Sequence, residues 1–359
     1  MKLLNMKPLN IALVYPHISG KSGYPRDFSR LATELRNIGV NVVTCSYDEK
    51  KNSKFNKSWK FIRELSKAKD DVSLVHFIGI FFHEYLLQSC ALRSSRIPYI
   101  ISPLSHLLPM ARDKSSIKKN LFLHLGGRNF IRKASAIHSF GTSETESVNA
   151  IGFRGAIHEI PLGLYPEDLS GISSVDSSVE LHTDGKPYII FFGRLDLYQK
   201  GLDILIDGFE SYYDQKPNGL NLVIAGRSWL GSGDWIKNRI EQSPANRKMF
   251  YLGEITDSQK VDLIRGSSAL IYPSRFDGPP RPLRDAIALG KFVLASHQSN
   301  ICPNLEREGL GWFFDANRTS IANTLVSFDQ MESLPHGNKQ ILGWKHLAMK
   351  YFHMYAETK

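Results

Sequence analysis

Twice along this chain a short apolar run gives way to apolar residues at helical spacing, and a stretch without any period divides the two arrays. Asn10-Ile-Ala-Leu-Val-Tyr15 is apolar without alternation, as a strand covered on both faces of a parallel sheet must be. Phe28, Leu31, Leu35 and Ile38 then recur at helical spacing up to Gly39, a C-terminal cap, and Val40 to Cys45 is the next strand. Val72–Ile78, Tyr99–Ser102, Ala136–Ser139 and Ile157–Ile160 continue the series. Residues 170–186, SGISSVDSSVELHTDGK, carry no periodicity and read as a linker. The pattern restarts with a strand at Tyr188–Phe192, a turn at Gly193 and a helix over Gly201–Tyr213. Strands follow at Asn221–Ala225, Met249–Leu252, Ala269–Tyr272 and Phe292–Ala295. Two such arrays predict an α/β chain of two Rossmann-like, doubly wound domains, residues 1–169 and 187–340. Ligands in these sheets bind beyond the carboxyl ends of the strands, so two facing domains are expected to make a central cleft.

Composition narrows the chemistry. With 359 residues the chain is long enough for two cores, and its 42% hydrophobic content excludes a disordered polymer. Three cysteines cannot build a disulfide framework, and no Cys-x-x-Cys or His/Cys cluster suggests a zinc site. Met1–Asn10 lacks the continuous apolar run of a signal peptide. The most apolar stretch, Val72–Leu92, contains His76, His83, Glu84 and Gln88, which reads as a buried strand followed by a helix and not as a membrane span. A cytoplasmic protein is expected, either soluble or peripheral on the inner face of the plasma membrane. The formal net charge is +10, and it is lopsided. Residues 1–170 hold 24 basic and 14 acidic side chains, whereas residues 171–359 hold 21 of each. A solubility device explains this as well as an anionic membrane, nucleic acid or substrate does.

Two segments of the second array carry chemistry. In Phe191-Phe-Gly-Arg-Leu-Asp-Leu-Tyr-Gln-Lys-Gly-Leu202 a strand ends at Gly193, and Arg194 and Lys200 lie in the loop before a helix. Two cations beside a helix N-terminus suit a diphosphate, although an ordinary solvated loop would hold the same pair. In Ala269-Leu-Ile-Tyr-Pro-Ser-Arg-Phe-Asp277-Gly-Pro-Pro-Arg-Pro-Leu-Arg-Asp285 a strand runs through a Gly/Pro loop into a helix near Pro282 or Leu283. Asp277 and Asp285 can accept hydrogen bonds from sugar or ribose hydroxyls, or simply complement the helix dipole.

Together these segments resemble the retaining glycosyltransferases of family 4, the glycosyl transferases group 1, which have the GT-B fold. Gly193-Arg194-Leu195 with Lys200-Gly201-Leu202 is similar to that family's phosphate loop. Pro273-Ser-Arg-Phe-Asp277-Gly278-Pro279-Pro280 followed by Leu283-Arg284-Asp285-Ala286 keeps the spacing of its E-x7-E motif, with both glutamates replaced by aspartates. Ile97–Pro103, Ala136–Glu144 and Ile160–Gly163 resemble its N-domain segments, and Trp344–Tyr355 its terminal helix, residues 341–359, returning to the N-domain.

The resemblance implies a nucleotide-sugar donor, a UDP- or GDP-sugar, bound by the second domain and a glycan or lipid-linked acceptor bound by the first. Arg194 and Lys200 would hold the diphosphate, Asp285 the ribose and Asp277 the donor sugar. Amides from Gly278 through Pro279, Arg281 and Leu283 would meet sugar or phosphate, although Pro279 and Pro280 lack N–H groups. Gly20 and Gly23 match the Gly-rich loop that approaches the donor. The family's Ser-Pro-His-Gly becomes Ser102-Pro103-Leu104-Ser105-His106, so Leu104 stands at the usual histidine position, and His106, two residues on, is either its substitute as the candidate catalytic histidine or a surface or core histidine. Transfer with retention, no metal, and a place in surface polysaccharide or lipopolysaccharide synthesis follow from the same resemblance. Its rivals are a nucleotide- or glycan-holding protein that does not transfer, and a GT-B sugar-nucleotide epimerase. A dinucleotide dehydrogenase is excluded because residues 15–25 hold no GxGxxG, and nucleic-acid binding lacks any known module.

Two basic stretches interleave lysines and arginines with apolar residues. One runs from Lys50 to Lys69 with Phe55, Trp59, Phe61, Ile62 and Leu65. The other has Arg112, Lys114, Lys118, Lys119, Arg128, Arg132 and Lys133 with Leu121, Phe122, Leu123 and Phe130. Each is either an amphipathic element for an anionic leaflet or a solvated helix whose apolar face is core.

Overall fold

The computed structural model describes residues 9–17, 24–48, 72–113, 116–170, 183, 186–335 and 337–359. Gly20, Gly23, the Lys50–Lys69 stretch and most of the expected linker lie outside these described residues. The chain divides into two compact units, Met1–Gly163 with Leu342–Lys359, and Leu164–Ile341.

Among the described residues the first unit holds six parallel strands: β1 (Asn10–His17), β2 (Asn41–Asp48), β3 (Leu74–Ile78), β4 (Tyr99–Ser102), β5 (Ala136–Ser139) and β6 (Ala156–Glu159). Their order is β2-β1-β3-β4-β5-β6, so the winding reverses between β1 and β3. β3, β4 and β5 are buried along their whole length, which explains why they do not alternate apolar and polar residues; the polar members of these strands include His76, Ser102 and His138. Helix Tyr24–Asn37 buries Phe28, Leu31 and Leu35, the residues whose spacing predicts it. Val72–Leu92 resolves into β3 and helix His83–Ser94, and no described helix is long and apolar enough to cross a membrane.

The terminal helix Trp344–Thr358 packs on helix Tyr24–Asn37 of this unit, as the resemblance implies. Its anchor is a wholly buried polar chain. Tyr355 Oη bonds His76 Nδ1 (2.9 Å), His76 Nε2 bonds Ser102 Oγ (2.7 Å), Ser102 Oγ bonds His138 Nδ1 (2.5 Å), and His138 Nε2 bonds the Ile160 carbonyl (2.8 Å). The carbonyl can only accept, so His138 carries its proton on Nε2. Ser102 must then donate to His138 and accept from His76, and Tyr355 donates to His76. One direction of donation satisfies every member with both imidazoles neutral. The buried chain thereby ties the helix to β3, β4, β5 and the segment after β6.

The second unit repeats the plan: β7 (Tyr188–Phe192), β8 (Asn221–Ala225), β9 (Met249–Gly253), β10 (Ala269–Tyr272), β11 (Phe292–Ser296) and β12 (Gly311–Phe314), in the order β12-β11-β10-β7-β8-β9. The two parallel six-stranded sheets bear out the α/β expectation. β12 has no counterpart in the sequence reading, because it is a four-residue edge strand with both middle residues only half-buried. Residues 164–169, expected at the end of the first domain, make contacts in this unit. Asp168 pairs with Arg281 (2.8 Å), and the Leu169 carbonyl accepts from Arg265 (3.3 Å). The strand order reverses between β7 and β10, so the loops leaving these two neighbours flank the crevice where such a sheet holds ligands.

Candidate functional site

The two loops at that reversal carry the two motifs. After β7 the chain passes Arg194 and Leu195 to Asp196, which caps a single helical turn, Leu197–Lys200, by accepting from the Gln199 amide (3.0 Å). Gly201 then takes a left-handed conformation (φ 66°) and opens helix Leu202–Gln215. A Cβ at Gly201 would stand 2.1 Å from the Pro273 carbonyl oxygen, so only glycine lets the loop after β7 press against the loop after β10. Gln199 completes the join. Its carbonyl accepts from the Arg275 amide (2.9 Å) and Ser274 Oγ (2.8 Å), and its Nε2 donates to the Phe276 carbonyl (3.3 Å).

This junction brings Lys200 to Asp277. The Lys200 ammonium donates to Asp277 Oδ2, to which the Tyr272 hydroxyl also donates (3.1 Å), and it lies 5.2 Å above the Tyr272 ring. The lysine side chain is only 9% exposed. Burial alone lowers its pKa, but the Asp277 carboxylate and Tyr272 outweigh that and leave it raised, so it stays charged at neutral pH. The Asp277 backbone is held by Gln298 and Asn300, its amide donating to the Gln298 carbonyl and its carbonyl accepting from Asn300 Nδ2, both at 3.0 Å. Arg194 donates to Gln199 Oε1 (2.7 Å), lies 3.5 Å from Asp196 and stacks its guanidinium over the Trp229 ring (4.6 Å). A fixed guanidinium fork and a buried ammonium at a strand switch point can neutralise a diphosphate.

Asp285 sits in a second cluster. Helix Arg281–Ala288 begins just after Pro280, with Pro282 in its first turn. Asp285 turns into the protein, 3.2 Å from Lys260 Nζ and 3.7 Å from Arg281 Nε, with its side chain 5% exposed. Leu283 is fully buried and Gly278 and Pro279 are buried, so Leu283 has only its backbone N–H to present at this helix start.

His106 belongs to the first unit, beyond β4. Its ring stacks on Phe81 (6.1 Å between centroids), and burial with Lys119 nearby lowers its pKa to about 4, so it is neutral. Its loop is strained, Leu104 and Ser105 both having φ of 59°. Glu144 holds it, accepting from the Ser105 amide and, through its other oxygen, from the Phe140 amide (2.9 Å).

Lys200 and Asp277 thus meet directly, Arg194 is joined to their loops through Gln199, and Arg281 and Asp285 meet in a second cluster. Four contributors escape sequence reasoning: Tyr272, Gln199, Trp229 and Lys260. Tyr272 and Gln199 adjoin the motifs, and their roles depend on side-chain direction. Trp229 follows β8 as an aromatic in a Gly/Ser loop, a weak signal. Lys260 lies on helix Asp257–Gly266 and reads there as one more surface lysine.

Residues 174–336 match the family described as glycosyl transferases group 1. No curated protein matches the chain. Among solved structures it is similar to the lipopolysaccharide outer core galactosyltransferase WaaB (16% identity, 97% of this chain and 100% of that one, TM-score 0.67). It is also similar to sucrose-phosphate synthase from Thermosynechococcus elongatus (14% identity, 97% and 98%, TM-score 0.63) and to Anabaena HepE in complex with UDP (15% identity, 98% and 95%, TM-score 0.59). With a group 1 glycosyl transferase domain in its second unit and the GT-B fold of these relatives, the chain is a glycosyltransferase.

Proposed function

We propose that this glycosyltransferase moves a sugar from a UDP- or GDP-sugar to a hydroxyl of a glycan or lipid-linked acceptor, with retention at the anomeric carbon. The observation that carries the proposal is the meeting of Lys200 and Asp277 across the loops after β7 and β10, with Arg194 fixed beside them. The matched group 1 domain and the UDP complex of HepE support a nucleoside diphosphate as the group those cations meet.

In this reading Arg194 and Lys200 take the diphosphate and Asp277 receives donor sugar hydroxyls. The acceptor oxygen forms a bond to the anomeric carbon as the bond from that carbon to the diphosphate breaks, and the acceptor proton passes to the leaving phosphate. The two cations, with Arg281 as a third, stabilise the negative charge that develops there, so the charge neutralisation needs no metal. Lys200 enters the reaction already desolvated, which strengthens its field at the phosphate. The first unit binds the acceptor, with His106 on its strained loop. Asp285, buried against Lys260, meets the ribose at its edge. The similarity to WaaB supports a surface polysaccharide or lipopolysaccharide product, made at the cytoplasmic face of an anionic membrane.

Incubation with a panel of UDP- and GDP-sugars, following release of the nucleoside diphosphate, tests the proposal. Release from one donor, lost in Lys200→Ala and Arg194→Ala, is the expected outcome. Equal release from both variants contradicts it.

A further inference from the structure

We infer that the segment from Ser116 to Lys133 is a membrane-docking surface for an anionic lipid bilayer. The second basic stretch divides its apolar residues between two directions. Phe122, Leu123, Phe130 and Ile131 turn inward, and Phe130 packs against Phe77 and Tyr99 of the first unit's core. Ile117, Leu121 and Leu125 turn outward and are 82%, 55% and 67% exposed. Ile117 and Leu121 stand at i and i+4 on helix Ser116–Phe122, and Leu125 follows in the π-helical turn Leu123–Gly127 that continues it. Core packing therefore accounts for four of these seven apolar residues and leaves the other three unexplained.

The charge around these three residues selects their occupant. Lys118, Arg128 and Lys133 of the same segment are exposed, Arg132 being turned to the Ile151 carbonyl (3.3 Å), and no aspartate or glutamate occurs anywhere from Lys114 to Ser143. Of the other polar groups on the outward side, Asn120 accepts from Arg112 (3.3 Å) and, through its carbonyl, from His124 Nδ1 (2.8 Å). A protein partner would need acidic groups matched one by one to scattered cations. A leaflet of anionic headgroups meets them in any register and lets three short apolar side chains enter the acyl boundary. The surface also gives physical content to the basic first half, whose excess charge the donor loops of the second unit do not use. It rests on the proposed membrane-side acceptor and is independent of the donor assignment.

Co-sedimentation with vesicles of phosphatidylethanolamine, with and without phosphatidylglycerol, tests it. The wild-type chain is expected to bind the phosphatidylglycerol vesicles, more weakly at high salt, and not the neutral ones. The triple variant I117S/L121S/L125S and the charge reversal K118E/R128E/K133E should each lose about tenfold or more in partition. Release of nucleoside diphosphate from free donor, without vesicles, should be unchanged in both and so reads the transfer proposal separately. Undiminished vesicle binding by either variant overturns the inference. So does equal wild-type binding to neutral vesicles, or a self-associated state of the wild type that the triple variant abolishes.

Discussion

Lys200 and Asp277, 77 residues apart in sequence, form one nearly buried ion pair that joins the loops after β7 and β10. Removing one member of such a pair strands the other charge in a poorly solvated place, whereas replacing both need not. Asp277→Ala should therefore destabilise the second unit by about 3–5 kcal/mol, and Lys200→Met/Asp277→Leu should recover most of that. Urea unfolding of the three proteins checks it. A loss under about 0.5 kcal/mol in Asp277→Ala, the size of an ordinary surface change, contradicts the pairing.

Gly201 is the hinge of the same junction. A methyl group there meets the Pro273 carbonyl and also forces an unfavourable left-handed backbone, which costs about 1–2 kcal/mol before any clash. Gly201→Ala is expected to unfold at lower temperature and to lose donor turnover. Calorimetry and diphosphate release on one preparation measure both. Full turnover in Gly201→Ala contradicts the close approach.

Trp229 aims the Arg194 guanidinium from below. A cation–π contact of this kind contributes about 0.5–2 kcal/mol, so Trp229→Ala should lower kcat/KM about 3- to 30-fold, with Trp229→Phe keeping most of it. Equal kinetics in wild type and Trp229→Ala mean that Gln199 and Asp196 position Arg194 without the ring.

Much of this architecture is legible in the chain. Parallel strands buried on both faces leave short, mostly apolar runs without alternation, so Tyr99–Ser102, Ala136–Ser139, Tyr188–Phe192, Asn221–Ala225 and Ala269–Tyr272 can be bounded from sequence to the residue. The edge strand Gly311–Phe314 is a short apolar run as well, but it follows a Gly-Leu-Gly turn and only its two end residues are buried, and the sequence reading does not mark it. The site is legible where spacing fixes chemistry, as in Arg194, Lys200, Asp277 and Asp285. It is opaque where a side chain's direction decides, as with Tyr272 and Lys260. His76 and His138 illustrate the limit: each stands inside an apolar strand, and only the folded sheet shows that they, Ser102 and Tyr355 satisfy one another.

Acid sensitivity separates two kinds of buried group in the first unit. Burial holds His76, His106 and His138 below their ordinary value of 6.5, the latter two at about 4. Their contribution to stability is present above pH 6.5 and is lost as pH falls towards 4. Glu144 has the opposite sign. Burial raises it to about 7, against the bonds from the Phe140 and Ser105 amides, so its contribution is present below pH 4.5 and lost as pH rises to 7. Between pH 4.5 and 6.5 the carboxyl offsets part of the histidine slope. Glu144→Gln removes that offset, so its stability should fall more steeply on acidification, by up to about 1.4 kcal/mol per pH unit. It also loses an accepted bond, which lowers the whole profile without changing its slope. Denaturation midpoints from pH 7 to 5 give the slopes, and a shallower profile for Glu144→Gln contradicts the assignment.

The donor assignment is tested most directly by the dissociation constant of the nucleoside diphosphate itself, measured calorimetrically with UDP and GDP on wild type, Lys200→Ala and Arg194→Ala. One diphosphate should bind the wild type. Each substitution removes a charge-assisted contact of about 1.5–3 kcal/mol, and so should weaken that binding roughly 10- to 150-fold. Dissociation constants unchanged in both variants would contradict a donor site between β7 and β10.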